Sequence, residues 1–190
     1  MPLLDHFGLL APLYEHFIPL QKPEQFIKFI DLPAGGYLLD AGGGTGRVSK
    51  ALKNYVDNIV VADLSIGMLQ QIHPGDGLQP VNTHTECLPF PSATFDRVIM
   101  VDALHHVCDH LETAQELWRV LKPGGKIVIE EPDIRNFGVK FVALAEKVAL
   151  MRSHFISPPR IAGFFSDTQS RTRIEQDGFN AWVIIDRLDS

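Results

Sequence analysis

Only two cysteines, Cys87 and Cys108, occur among the 190 residues, and they do not form a C-x-x-C pair. That excludes a disulfide framework and fits a reducing compartment, so a cytoplasmic location is expected. No apolar run reaches the length needed to span a bilayer. Met1–Leu13 holds apolar residues, but Asp5, His6 and two prolines interrupt them, so no secretory leader is read there. Basic charge is scarce as well. Seventeen Lys and Arg stand against 23 Asp and Glu, for a formal net charge of −6. Such a chain repels phosphate backbones on average, so nucleic acid is not the expected substrate. There is no internal repeat and no low-complexity segment. What is present is 45% hydrophobic residues, enough for one globular domain with a sizeable core.

The middle of the chain alternates strand-like and helix-like patterns. Tyr37–Ala41 reads as a buried strand ending in glycines. Gly46–Tyr55 follows with Val48, Ala51, Leu52 and Tyr55 at helical spacing. Asn58–Leu64 is a second strand, and Ser65 caps a short helix carrying Met68, Leu69 and Ile72. A third strand lies near Gln79–His84 and a fourth at Phe95–Val101. Asp109–Leu121 is a helix, with Asp109 as cap, Glu112 three residues on, and an apolar stripe of Leu111, Ala114, Leu117, Trp118 and Leu121. Lys122–Gly125 stops it, and Lys126–Glu130 is the fifth strand. Repeated strand–helix units imply an α/β, doubly wound, mainly parallel sheet. Asp5–Phe17 and Glu24–Ile30 read as helices folding over the sheet, and Asn136–Phe155 as a second helical insertion. Arg171–Asp177 reads as a helix closed by Gly178, and Phe179–Arg187 as a last strand. The organisation expected is thus one domain: a helical cap over 1–34, a core over 35–133, a lid over 134–165, and a C-terminal helix and strand over 166–190.

The segment Asp40-Ala41-Gly42-Gly43-Gly44-Thr45-Gly46-Arg47 sits where a strand gives way to a helix. Glycines there let the chain turn tightly and let a ligand touch bare backbone. In an open parallel sheet, ligands bind at the carboxyl ends of the strands. The dinucleotide fingerprint G-x-G-x-x-G/A, begun at Gly42, places its last position on Arg47 and fails. The pattern present is D-x-G-x-G-x-G. Asp63 ends the second strand, where a carboxylate can accept both ribose hydroxyls of an adenosine.

Asp40–Gly46, Asp63-Leu64-Ser65-Ile66-Gly67-Met68-Leu69, Glu86-Cys87-Leu88-Pro89-Phe90-Pro91, Phe95-Asp96-Arg97-Val98, Ala103-Leu104-His105-His106-Val107 and Leu121-Lys122-Pro123-Gly124-Gly125 together resemble the class I, Rossmann-like family of S-adenosylmethionine-dependent methyltransferases. Among its members they look like the small-molecule type of ubiquinone and menaquinone biosynthesis. The resemblance implies S-adenosylmethionine as cofactor, with S-adenosylhomocysteine as product. It implies a site made of Asp40, Ala41, Gly42, Gly43, Gly44 and Gly46 around the methionine and ribose, with Asp63, Leu64, Met68 and Val101 beside them. Tyr14, in Ala11-Pro12-Leu13-Tyr14, resembles an element that lines the same pocket. The adenine contact departs from the family pattern: Thr83-His84-Thr85-Glu86 replaces the usual G-D-A-E. Either His84 accepts from the amino group, or the backbone around Thr85 holds the ring and Glu86 is peripheral. The family also ends in two strands, the last antiparallel. Here one is read, so the last strand is either absent, with the sixth pairing directly with the fifth, or beyond the end of the sequence, and an absent strand would leave an edge that a partner chain could cover.

Two readings of the histidine pair stay open. His105 or His106 is a general base, or each is a buried histidine that shapes the pocket. A metal is not expected, because the cluster lacks the i, i+4 spacing of a helix-borne site and any distant second half. Glu130, Glu131 and Asp133 either face a cationic acceptor or lie in a solvated loop. Arg152, Arg160, Arg171 and Arg173 either bind an acidic substrate or are surface residues. The function expected is methyl transfer to a small-molecule acceptor. The competing expectation is a non-catalytic S-adenosylmethionine sensor or assembly subunit, since fold alone does not prove chemistry.

Overall fold

The structure of the protein, a computed structural model, describes residues 23–136, 139, 153–166 and 169–189. Its elements in chain order are α1 (Pro23–Phe29), β1 (Ala34–Ala41), α2 (Arg47–Leu52), β2 (Val56–Asp63), α3 (Ile66–Leu69), β3 (Leu78–Asn82), β4 (Phe95–Val101), α4 (His110–Val120), β5 (Leu121–Pro132), α5 (Pro158–Gly163), β6 (Ser170–Asp177) and β7 (Asn180–Arg187). Short 3-10 turns occur at Pro74–Asp76 and Leu104–His106.

The seven strands form one sheet in the order β3-β2-β1-β4-β5-β7-β6. β1 to β5 are mutually parallel, and β7 alone runs against the rest. The α/β, doubly wound class is therefore as expected. The central strands are apolar on both faces, as parallel strands sandwiched by helices must be. One face buries Leu39, Val98, Ile129 and Val183 with Ala114 and Leu117 of α4 and Ile161 of α5. The other buries Leu38, Val61, Ile99 and Val128 with Val48 and Leu52 of α2 and Phe26 of α1. Trp182 anchors that second face, with Phe26 and Phe29 edge-on to its ring at 4.3 and 5.1 Å. The chain order reverses between β1 and β4, so the switch-point crevice opens beside the glycines that follow β1.

Several local expectations change. The segment Arg171–Asp177 is not a helix but strand β6, which supplies the strand missing from the sequence reading. Gly178 does not cap a helix. It takes φ +63 as the first residue of a two-residue hairpin, with Asp177 paired to Asn180. The same positive φ serves either ending, so glycine alone could not distinguish them. α2 stops at Leu52 and turns Val48, Ser49 and Leu52 inward, which leaves Ala51 and Tyr55 exposed. Leu111 lies one residue inside α4 and is also exposed. Asp109 does cap α4, accepting from the Leu111 and Glu112 N–H groups. Lys122–Gly125 is a bulge within β5 rather than a separate turn. The ladder pairs Phe95 with Leu121, then resumes at Arg97 and Lys126. The helix read over Glu24–Ile30 is α1. The cap helix over 5–17, Tyr14, Arg152 and most of the insertion read over 136–155 lie outside the described residues.

Candidate functional site

β1 delivers Asp40 to the base of the glycine loop. Its carboxylate is 1% exposed and accepts a 2.7 Å hydrogen bond from Ser49 Oγ of α2. The second oxygen, Oδ1, is buried with no partner among the described residues. Burial pushes this carboxyl up to about 6, the Ser49 bond opposes it, and the Asp63 charge adds to it. Thr45 Oγ1, within the loop, is likewise buried without a partner among the described residues. The loop is braced by Gly42 and Gly43 N–H groups on Ala62 O of β2, at 2.7 and 3.3 Å.

At the next strand end, Asp63 is held rather than floating. Gly44 N–H donates to Asp63 Oδ2 at 2.9 Å, and Ser65 N–H donates to Oδ1 at 2.7 Å. Gly44 adopts φ +55, and a Cβ there would sit 3.6 Å from Met68 Cε and 4.0 Å from Asp63 Oδ2. A side chain at 44 would thus occupy the space between loop, carboxylate and Met68. Ser65 caps α3 as expected, accepting from Met68 N–H at 3.2 Å. Leu64 and Ile66 flank the cap with their apolar side chains 59% and 56% exposed. This is the carboxyl-end crevice predicted from the glycine frame. Two buried polar atoms in the loop, a fixed carboxylate at the next strand end and uncovered apolar surface at Leu64 and Ile66 suit an adenosine-bearing ligand with an amino acid tail.

Thr85 is buried near Thr113 of α4, their hydroxyls 3.5 Å apart. His84 points outward. Glu86 Oε1 accepts from Cys108 N–H at 2.8 Å and more weakly from Asp109 N–H at 3.4 Å. Glu86 therefore ties this loop to the start of α4. Its carboxylate is engaged with backbone, and the reciprocal half of the expected Asp109–Glu112 box is taken by Glu86 instead.

The turn after β4 holds the densest polar network. Asp102 has φ +51, an uncommon conformation for a residue with a side chain. Its N–H donates to Glu130 O at 3.0 Å, and Arg47 Nη2 lies 3.8 Å from its carboxylate. Arg47, the residue that broke the dinucleotide pattern, thereby links the glycine loop to the β4 turn. Val101, just before it, is buried. Glu131 of β5 is 4% exposed and gathers three donors: Ala103 N–H at 3.0 Å, Leu104 N–H at 2.7 Å and His105 Nδ1 at 2.6 Å. The His105 ring, also 4% exposed, stacks on Phe155 at 4.3 Å and lies 3.9 Å from the His106 ring. His154 N–H donates to His105 O at 2.7 Å. Burial, with His105 alongside, depresses His106 to about 3, so it is neutral at ordinary pH. Glu130 lies on the opposite face of β5 and accepts from Asn180 Nδ2 at 2.7 Å. Burial pushes it up to about 7, reduced by that bond and raised by Asp102.

Asp40–Gly46, Asp63, Met68, Val101 and the His105–His106 turn thus sit along one edge of the sheet. Reading along the chain missed the roles of Glu131, Arg47, Asp102 and Ser49. Glu131 stood out as an acidic residue, but its bond to His105 spans 26 positions and leaves no local trace. Glu130, Glu131 and Asp133 are buried, not in a solvated loop. Asp133 is taken up by Arg135 and Gln176.

Residues 39–129 match the family model described as a methyltransferase domain. The ubiquinone/menaquinone biosynthesis C-methyltransferase UbiE of Hahella chejuensis is 36% identical over 108 residues, covering 52% of this chain and 43% of the relative. The demethylmenaquinone methyltransferase of Clavibacter sepedonicus is 39% identical over 102 residues, covering 52% and 42%. The chain spans less than half the length of these curated relatives. Among solved structures, a SAM-dependent methyltransferase of Thermotoga maritima superposes with a TM-score of 0.78 at 20% identity, covering 95% of this chain and 98% of that one. At that identity the likeness speaks for the fold alone. The matched core carries the glycine loop, Asp63 and the β4 turn, and over that core the chain is similar to methyltransferase domains, with the sheet order of the Rossmann-like fold.

Proposed function

We propose that this chain binds S-adenosylmethionine at the end of β1 and β2 and transfers its methyl group to a small molecule. The observation that carries this is the Asp63 carboxylate, pinned by the Gly44 and Ser65 N–H groups beside an open cradle at Gly44. When bound, the cofactor supplies an electrophilic methyl group on a sulfonium. Asp63 accepts from the ribose hydroxyls, and Leu64 and Ile66 offer apolar surface to the base. Asp40 Oδ1 and Thr45 Oγ1, without a partner among the described residues, would accept from the ammonium end of the ligand. The chain's main contribution is then orientation, worth up to ~7–11 kcal/mol for a well-aligned displacement. His105 is a positioning residue in this reading: Glu131 and Phe155 fix its ring, and its burial keeps it from an acceptor. His106, neutral, lends shape rather than basicity.

The acceptor proposed is a small, aromatic, quinone-like metabolite. The support is the name of the curated relatives and the net charge of −6, which disfavours nucleic acid. The two free, exposed cysteines support action in the cytoplasm. Isothermal titration with S-adenosylmethionine and S-adenosylhomocysteine tests cofactor binding. Folded wild-type protein that binds neither, or an Asp63→Ala variant of unchanged affinity, would refute it. Methyl transfer to a panel of quinol and phenol acceptors separates an enzyme from a sensor, which would bind without turnover.

A further inference from the structure

The two edges of the sheet are built differently. β3, at one edge, is five residues long and carries Pro80 at its centre, which blunts it against pairing. β6, at the other, is eight residues long and contains no proline. Its register with β7 runs unbroken from Ser170 to Asp177, without a bulge. Among the described residues nothing covers it: Arg171, Arg173, Ile174, Glu175 and Gln176 are exposed.

The two-residue hairpin decides which backbone groups face outward. Asp177 and Asn180 flank the turn and form a hydrogen-bonded pair, so Glu175, Arg173 and Arg171 also direct their backbone groups to β7. Thr172, Ile174 and Gln176 then direct N–H and C=O away from the sheet. Among the described residues, no backbone hydrogen bond from these three reaches outside the β6–β7 ladder. A long, straight, unpaired edge is a template for another strand.

We infer that the strand it takes is β6 of a second copy, antiparallel, with the two-fold axis at Ile174. The residues of Ser170–Asp177 are complementary to themselves in that register. Ile174 meets Ile174, and Thr172 meets Gln176 of the second copy, each pair exchanging the outward N–H and C=O groups. Arg173 falls opposite Glu175 of the second copy and Arg171 opposite Asp177, at the non-hydrogen-bonded positions where side chains approach closest. By symmetry each charge pair forms twice. Phe179, 64% exposed at the hairpin tip, is drawn beside Gln169 of the second copy. A slide of two positions, the smallest that keeps the outward groups paired, would set Arg173 opposite Arg173 or Glu175 opposite Glu175, and lose this matching. The result is a continuous sheet of fourteen strands, two times the seven of one copy, with the two cofactor crevices remote from the junction. The pairing does not depend on the proposed methyl transfer.

The test is sedimentation velocity on wild-type protein from about 1 to 200 μM, a range that brackets the micromolar dissociation constant expected of a short edge-to-edge contact. Wild type should pass from monomer to dimer. R173E should weaken the dimer at least about tenfold by facing like charges twice, and so should E175R. The double variant R173E/E175R restores both pairs and should return within about threefold of wild type. I174P removes an outward N–H while leaving the β7 ladder intact, and should also give monomers. Wild type that stays monomeric throughout overturns the inference. So does a dimer insensitive to R173E and I174P, and so does a failure of the double variant to recover.

Discussion

Glu131 is one carboxylate serving three donors from one turn and one ring. Removing it strands two backbone N–H groups and His105 Nδ1 in the interior, where an unmet donor costs ~1–3 kcal/mol. Glu131→Ala should therefore destabilise the fold by about 3–5 kcal/mol in urea unfolding. Glu131→Gln, which still presents an acceptor, should lose clearly less. Glu130 gives a pH signature. Its carboxyl titrates near 7 in the fold against an ordinary value of 4.5, so the native state holds a proton that the unfolded chain has released. Its stabilising contribution is full below about pH 4.5 and is lost as the pH rises through 7. Glu130→Gln should accordingly be more stable than wild type by roughly 2 kcal/mol at pH 8, with the gap closing by pH 4. Equal differences at both pH values would contradict this. His106 acts in the opposite direction: its depressed value makes the native state resist the proton that the unfolded chain accepts near 6.5, so this part of stability falls as the pH drops from about 6.5 toward 3.

At the scale of elements, the glycine loop and α3 were legible because their information is local. A glycine that must turn at φ +55, and a serine that caps the next helix three residues on, act within a few positions. α4 and its Asp109 cap were legible for the same reason. The β6–β7 hairpin was not. β6 is a polar edge strand, so it lacks the alternating apolar residues that mark a half-buried strand, and its Gly178 suits a helix end equally well. Gly178→Val isolates the turn: no atom lies within 4 Å of a Cβ built there, so the whole penalty is conformational. It should cost about 1–2 kcal/mol, read by thermal unfolding, with hydrogen exchange accelerated first along β6. A cost near zero would contradict the assigned turn.

Across the whole molecule, the glycine loop, the β4 turn and the segment 153–155 are joined by Arg47–Asp102, Glu131–His105 and His154–His105. A ligand that binds only the native state stabilises all of them together. S-adenosylhomocysteine at about a hundred times its dissociation constant should raise unfolding free energy by ~2.7 kcal/mol. Differential scanning fluorimetry should show the shift in wild type and not in Asp63→Ala. An equal shift in the variant would remove Asp63 from the site.

The sequence by itself determined the alternation of strands and helices, the class of the sheet, and the place of the glycine loop between β1 and α2. Each depends on periodicity or on conformations that only certain residues adopt, and those are properties of neighbours in the chain. Tertiary structure alone decided that Glu131 holds His105, that Arg47 reaches Asp102, that Glu86 spends its carboxylate on the start of α4, and that β6 is the last strand of the sheet. Those outcomes depend on which distant groups meet in a low-dielectric interior and on which strand is left last in the sheet. Hydrogen bonding and desolvation act across space, so the chain carries the residues for them without showing how they pair.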